Sequence, residues 1–218
     1  MARRFELIVF DWDGTLLDSA GAIVASIQAA AVDLGLAPPS EKRARHVIGL
    51  GLRDALRYAL PQLGEEHHPE LANRYRHHYL AQDGQLNLFD GAEELVRHLA
   101  AEGYLLAVAT GKSRLGLDRA MAASGLSACF HASRCADECH SKPHPEMLEE
   151  LMEELGVPPE LTLMIGDTTH DLEMAANAGV AALAIAHGAH ERAALEALAP
   201  VYCAGSMADL ADWLSRHG

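Results

Sequence analysis

Four short runs of the chain are apolar at odd and even positions alike: Leu7-Ile8-Val9-Phe10, Leu105-Leu106-Ala107-Val108-Ala109, Leu161-Thr162-Leu163-Met164-Ile165 and Ala182-Leu183-Ala184-Ile185-Ala186. A strand with one wet face alternates between polar and apolar residues. A strand covered on both faces does not, so these runs predict the buried strands of a parallel sheet. Between them the apolar residues take up helical spacing. Met147, Leu148, Leu151, Met152 and Leu155 share one stripe, and Leu195 and Leu198 belong to another. From Gly91 onward strand and helix alternate, which predicts a doubly wound, Rossmann-like α/β sheet.

One stretch breaks the alternation. Between Asp18 and about Gln85 no strand pattern occurs. Ile23, Ile27, Ala30 and Leu34 form an amphipathic stripe, and 47–60 and 69–82 read as further helices. Pro38-Pro39, Gly49-Leu50-Gly51 and Pro61 punctuate them. The expected organisation is therefore a core of residues 1–17 and 86–218, with an α-helical insertion over 18–85 after the first strand. The return to the core falls near Leu88-Phe89-Asp90-Gly91. The doubled histidines, His67-His68 and His77-His78, are expected on a solvated helical face.

At 218 residues, half of them hydrophobic, the chain has enough apolar side chain for a core and a small accessory domain. Lys and Arg number 17 against 31 Asp and Glu, a formal net charge of −14. A nucleic-acid partner is not expected, because phosphate backbones are met by a basic face. A small phosphate ester remains compatible, since a local cation reverses the field inside a pocket. No apolar run approaches a membrane span, and the start of the chain, with Arg3 and Arg4, does not read as a signal peptide. The four cysteines are too few and too clustered for a disulfide framework, so free thiols and a cytoplasmic location are expected. Cys135, Cys139, His140 and His144 lack recognised zinc spacing and read as a surface loop.

The candidate chemistry lies where the strands end. The first run leads into Asp11-Trp12-Asp13-Gly14-Thr15-Leu16. Ligands of doubly wound sheets bind at the carboxyl ends of strands, and two acids placed there repel unless a cation or proton separates them. The second run leads into Thr110-Gly111-Lys112-Ser113, a hydroxyl followed by glycine and fresh helix N–H groups that suit phosphate oxygens. The segment beyond Phe130 leads to Ser141-Lys142-Pro143-His144-Pro145, whose lysine is held near two prolines and offers a fixed positive charge. The run ending in Ile165 leads to Gly166-Asp167-Thr168-Thr169-His170-Asp171, two carboxylates suited to a hard cation such as Mg²⁺.

In this order the four motifs resemble those of the haloacid dehalogenase superfamily, in the phosphoglycolate-phosphatase-like subgroup with a helical cap. The resemblance spans essentially the whole chain. It implies a Mg²⁺-dependent phosphatase in which Asp11 is the nucleophile and forms an aspartyl-phosphate. It implies Asp13 as general acid and base, and Thr110, Lys142 and the backbone around Trp12, Gly111 and Lys112 as the phosphate cradle. It implies a metal site of Asp11, the Asp13 carbonyl and Asp167, with Asp171 as a further ligand or supporting partner. Asp13 favours an oxygen leaving group over halide. Lys42, the one lysine of the insertion, sits in the polar run Glu41-Lys42-Arg43-Ala44-Arg45 and is read as solvated, which argues against Schiff-base chemistry on a phosphonate.

Substrate choice is expected in the cap. The turn Gly49-Leu50-Gly51-Leu52-Arg53 resembles the cap loop that reaches the site, with Arg53 able to pair an anionic part of the leaving group. Asp18 either lines the site or caps the first cap helix. Phe89-Asp90-Gly91 lacks the proline that relatives often carry before the glycine. Phosphoglycolate is the first named substrate, a monomer or homodimer is expected, and the rival readings are a sugar phosphomutase, an inorganic pyrophosphatase and a non-catalytic binding module.

Overall fold

The computed structural model describes residues 4–218, so Arg3 lies outside the described residues. Six strands, β1 (Leu7–Phe10), β2 (Leu105–Thr110), β3 (Ala132–Cys135), β4 (Thr162–Gly166), β5 (Ala181–Ile185) and β6 (Tyr202–Ala204), form one sheet in the order β3-β2-β1-β4-β5-β6. Every pairing is parallel. The sequence order reverses direction at β1, between β2 and β4, and at such a switch point the crevice beyond the carboxyl ends is open to a ligand.

β1 is central and fully buried, as its unbroken apolar run requires. Its alternate side chains enter two different cores. Ile8 and Phe10 pack with Leu95 and Leu99 of α5 (Ala92–Ala101) and with Leu210 and Trp213 of α10 (Met207–His217). Leu7 and Val9 face Leu148 and Leu151 of α7 (Glu146–Leu155) and Met174 of α8 (Thr169–Asn177). α6 (Arg114–Ser124) follows β2, and the short α9 (Arg192–Glu196) follows β5.

Between β1 and α5 lie α1 (Ala20–Asp33), α2 (Glu41–His46), α3 (Leu52–Ala59) and α4 (His68–Asp83). They build their own apolar cluster, in which Ile27, Leu56 and Leu71 are buried. No described helix is long and apolar enough to cross a membrane.

The structure departs from the sequence reading in several places. β3 and β6 carry no continuous apolar run, because both are short and only Cys135 and Ala204 within them are buried. Residues 47–60 are not one helix: a turn occupies 47–51 and only Leu52–Ala59 is helical. The polar run at Glu41 is itself a helix, capped by Ser40, whose hydroxyl accepts from the Arg43 N–H. Of the doubled histidines, His67 and His77 are exposed, but His78 is half-buried with Nε2 2.8 Å from Asp33. Cys135 is not in a surface loop: it closes β3 and is fully buried, and burial pushes its thiol up to about 12.

Candidate active site

Asp11 follows β1, Thr110 ends β2, Lys142 lies in the loop between β3 and α7, and Asp167 follows β4. Parallel strands in register deliver these four termini to one end of the sheet. The Asp11 N–H continues the ladder by donating to the Ile165 carbonyl at 2.9 Å. Asp11, Thr110, Asp167 and Asp171 are fully buried, and Asp13 and Lys142 nearly so.

The lysine is fixed between two acids. Lys142 Nζ lies 2.9 Å from Asp11 Oδ1 and 2.6 Å from Asp171 Oδ1. Burial alone would lower its pKa, but the two carboxylates outweigh that effect and raise it, so the ammonium persists. Asp171 Oδ2 accepts from Thr168 Oγ1 at 2.7 Å and from the Thr168 N–H at 3.0 Å, and the Asp171 N–H donates back to Thr168 Oγ1 at 3.4 Å, which closes the capping box that starts α8. Both oxygens of Asp171 are thus engaged.

Asp167 is held by two donors. Thr15 Oγ1 donates to its Oδ1 and the Ala189 N–H to its Oδ2, both at 2.7 Å. Gly14 turns the chain with φ +84°, and a β-carbon there would run into the Asp167 carboxylate. Burial, with Asp171 adding to it, pushes Asp167 up to about 7.

Asp11 differs from its neighbours. Its Oδ2 is buried without a hydrogen-bond partner, and Oδ1 meets Lys142 without hydrogen-bond geometry. Burial raises its pKa well above the usual carboxylate range. Lys142 opposes that rise, and Asp171 and Asp167 add to it. One carboxylate oxygen from each of Asp11, Asp167 and Asp171 lies within 4.8 Å of the others. Three buried acids with one lysine between them are short of positive charge, and hard oxygen donors with an unpartnered atom fit a divalent cation such as Mg²⁺.

Asp13 faces the insertion. The Ser19 hydroxyl, at the start of α1, donates to Asp13 Oδ1 at 2.6 Å. Lys112 Nζ lies 3.0 Å from Asp13 Oδ2 and donates to the Tyr79 hydroxyl of α4, also at 3.0 Å. The Lys112 N–H is 3.2 Å from Thr110 Oγ1. Trp12 is fully buried, with its indole Nε1 lacking a hydrogen-bond partner, its ring against Phe130 and its carbonyl accepting from the Leu16 and Leu17 N–H groups, and its side chain does not border the cavity above Asp11 and Asp13.

The insertion closes over this end of the sheet. Gly111 passes so close to the 49–50 turn that a β-carbon there would sit 2.5 Å from the Leu50 carbonyl oxygen. Ser141 Oγ accepts from the Gly51 N–H at 2.8 Å. The His46 carbonyl accepts from His170 Nε2 at 2.7 Å and from His190 Nε2 at 3.2 Å. Burial, reinforced by His170, pushes His190 down to about 4, so it docks as a neutral ring. Sequence reasoning missed Ser19, Tyr79, His170 and His190 in these contacts. Ser19 adjoins the first motif and His170 lies inside the last, but nothing local links either to its partner. Arg53, on the first turn of α3, is exposed and borders the cavity above Asp11 and Asp13. Asp18 does neither of the things expected of it. The N-cap of α1 is Ser19, and Asp18 borders a separate crevice with Asn87 and Asp90.

Comparison with known proteins gives a consistent picture. The sequence pattern of the family described as haloacid dehalogenase-like hydrolase matches residues 8–185. The probable phosphatase IndB of Dickeya dadantii (strain 3937) is 38% identical over 89% of this chain and 86% of its own. Pyrophosphatase PpaX of Bacillus mycoides (strain KBAB4) is 30% identical over 98% of both chains. The crystal structure of a predicted phosphoglycolate phosphatase from Haemophilus somnus 129pt superposes with a TM-score of 0.85 at 27% identity, covering 98% of this chain and 99% of that one. The chain therefore belongs to the haloacid dehalogenase-like hydrolase family.

Proposed function

We propose that this hydrolase cleaves phosphomonoesters of small molecules, with Mg²⁺ and through a phosphorylated Asp11. The observation that carries the reading is Asp11 Oδ2, buried, without a hydrogen-bond partner, and on a residue that borders the cavity. An orphaned carboxylate oxygen is costly as structure and useful as a nucleophile or ligand.

In the first half-reaction an Asp11 oxygen attacks phosphorus as the bond to the ester oxygen breaks. Asp13 gives its proton to the departing alkoxide, so alcohol leaves and the phosphoryl group stays on Asp11. In the second, Asp13 takes a proton from water as that water attacks phosphorus, and phosphate leaves with Asp11 restored. Lys142 offsets the repulsion between Asp11 and the incoming phosphate and stabilises charge on the transferring group. Thr110 and the N–H groups of the strand-end turns at Trp12 and Gly111 complete the cradle. The metal would be held by Asp11, Asp167 and the Asp13 carbonyl, and it supplies further positive charge for the phosphoryl oxygens. Asp171 holds Lys142 in place through Oδ1 and stands beside the metal site as a further ligand or supporting partner.

Residues 18–85 act as a cap on a core of 1–17 and 86–218. Their separate apolar cluster and the approach of the 49–50 turn to Gly111 support this division. Ser19 and Tyr79 reach Asp13 directly and through Lys112, so cap closure also orders the proposed acid.

The test is phosphate release from a panel of phosphomonoesters and pyrophosphate with Mg²⁺, comparing wild type with Asp11→Asn. The expected outcome is turnover by wild type and loss of nearly all of it in a variant with unchanged circular dichroism. Comparable activity in Asp11→Asn would rule out Asp11 as nucleophile. A hexose 1-phosphate that yields its isomer rather than phosphate would favour the mutase reading.

A further inference from the structure

The cavity above Asp11 and Asp13 has a volume of about 750 Å³. At the roughly 30 Å³ that a water molecule occupies in the liquid, it has room for about 25 water-sized groups. Phosphoglycolate and pyrophosphate each have roughly nine non-hydrogen atoms and would leave most of that space to water.

Part of the wall is apolar. Ile23 and Ile27 of α1 and Val47 and Ile48 of the turn before α3 border the cavity. So do Leu80 of α4 and Leu115 of α6, which are 45% and 68% exposed and stand on the cap and core sides of its rim. Exposed leucines on both sides of an opening are surface that a ligand can cover.

The charges at the cavity are only partly paired, and Asp54 beside Arg53 borders it as well. Lys112 is taken by Asp13 and Tyr79, and Arg57 by Glu65. Arg119 lies 3.9 Å from Asp83, and Arg76 bonds to Asn73. Arg53 has no hydrogen-bond or ion-pair partner among the described residues. A second phosphate placed against the apolar part of these walls would lose its water where no donor replaces it, which is unfavourable. An apolar body with a single acceptor fits both features.

We propose that the alcohol released is bulky and largely apolar, and that it carries one carboxylate or carbonyl group for Arg53. This rests on the phosphomonoesterase reading above and narrows its leaving group beyond phosphoglycolate.

The test compares phosphates of primary alcohols, so that leaving-group acidity stays nearly constant while size changes. The set is ethyl phosphate, 2-phenylethyl phosphate, 2-(2-naphthyl)ethyl phosphate and the naphthyl ester with a ring carboxylate, with phosphoglycolate and pyrophosphate alongside. The expected result is a kcat/KM that rises at least about tenfold from ethyl to naphthylethyl, since even one methylene in an apolar pocket is worth about that much. The carboxylated ester should be best, and both phosphoglycolate and pyrophosphate should fall below it. Leu115→Ala should shrink the naphthylethyl-to-ethyl ratio, and Arg53→Met the advantage of the carboxylate. Turnover abolished by Asp11→Asn but equal or better for ethyl phosphate, phosphoglycolate or pyrophosphate overturns the inference and leaves the phosphatase reading standing. If the folded protein hydrolyses none of the set, the phosphatase reading fails instead. Calorimetric binding of the same esters then decides for the cavity: affinity rising with size supports the inference, and affinity independent of size overturns it.

Discussion

Replacing Lys142 by Met keeps all but the last atom of the side chain's length and deletes its charge. The ammonium sits 2.9 Å from Asp11 and 2.6 Å from Asp171, with all three side chains fully buried. At an effective dielectric of about 20, each contact is a gross attraction of about 6 kcal/mol. The desolvation of three buried ions takes back a large part of that sum. Removing one partner of a buried pair nevertheless costs about 3–5 kcal/mol, because the other charge stays behind. Here two carboxylates are stranded beside Asp167, which burial already pushes up to about 7. Uptake of a proton by the cluster keeps the loss within that range. Lys142→Met is therefore expected to destabilise the metal-free protein by about 3–5 kcal/mol, measured by urea unfolding with chelator present. Adding Asp171→Asn removes one stranded charge while keeping an acceptor for Thr168. The double variant should be more stable than the two single losses predict by at least about 1.5 kcal/mol. Strict additivity, or a loss below about 1 kcal/mol for Lys142→Met, would refute the buried triad as the element that holds the lysine.

Other outcomes follow from the same site. In chelated protein, MgCl₂ at about 100 times its Kd should stabilise by about 2.7 kcal/mol, and Asp167→Asn should remove most of that gain in thermal melts. Gly111→Ala places a β-carbon 2.5 Å from the Leu50 carbonyl oxygen and 2.6 Å from that of Gly49, so the 49–50 turn must retreat. Stability should fall by about 1–3 kcal/mol, and faster proteolysis within residues 18–85 should accompany a lower kcat/KM. Cys135 is fully buried, with its thiol pushed up to about 12 by burial, so it stays a neutral thiol at pH 8. Mass spectrometry of native protein treated with iodoacetamide should find it unmodified, and rapid modification there would contradict its burial in β3.

Much of the core could be read from the chain. β1, β2, β4 and β5 coincide within a residue or two with the four unbroken apolar runs, because burial on both faces leaves its mark at every position. β3 and β6 escaped that reading, since they lie at the edges of the sheet with one side unpaired and tolerate Ser133, Arg134 and Tyr202. α2 was hidden for a related reason: in six residues it buries only Ala44, too little for a helical stripe to show.

The motifs at the strand ends were local and therefore visible. A parallel sheet carries each strand's carboxyl end to the same side, so acids, hydroxyl and lysine had to meet once the strands were recognised. How each acid is used is a different kind of information. Asp11, Asp167 and Asp171 look alike in sequence, yet Asp171 is bonded to Lys142 and Thr168, Asp167 is held by Thr15 and Ala189, and Asp11 keeps an oxygen without a hydrogen-bond partner. The donors that make this difference come from segments far apart along the chain, and the cavity that Arg53 borders exists only because α1, α3 and α4 close over α6. Periodicity records whether a residue is buried, and that property is decided one element at a time. Hydrogen-bond partners, pKa shifts and cavity volume depend on which distant elements meet, and no local pattern of residues encodes that.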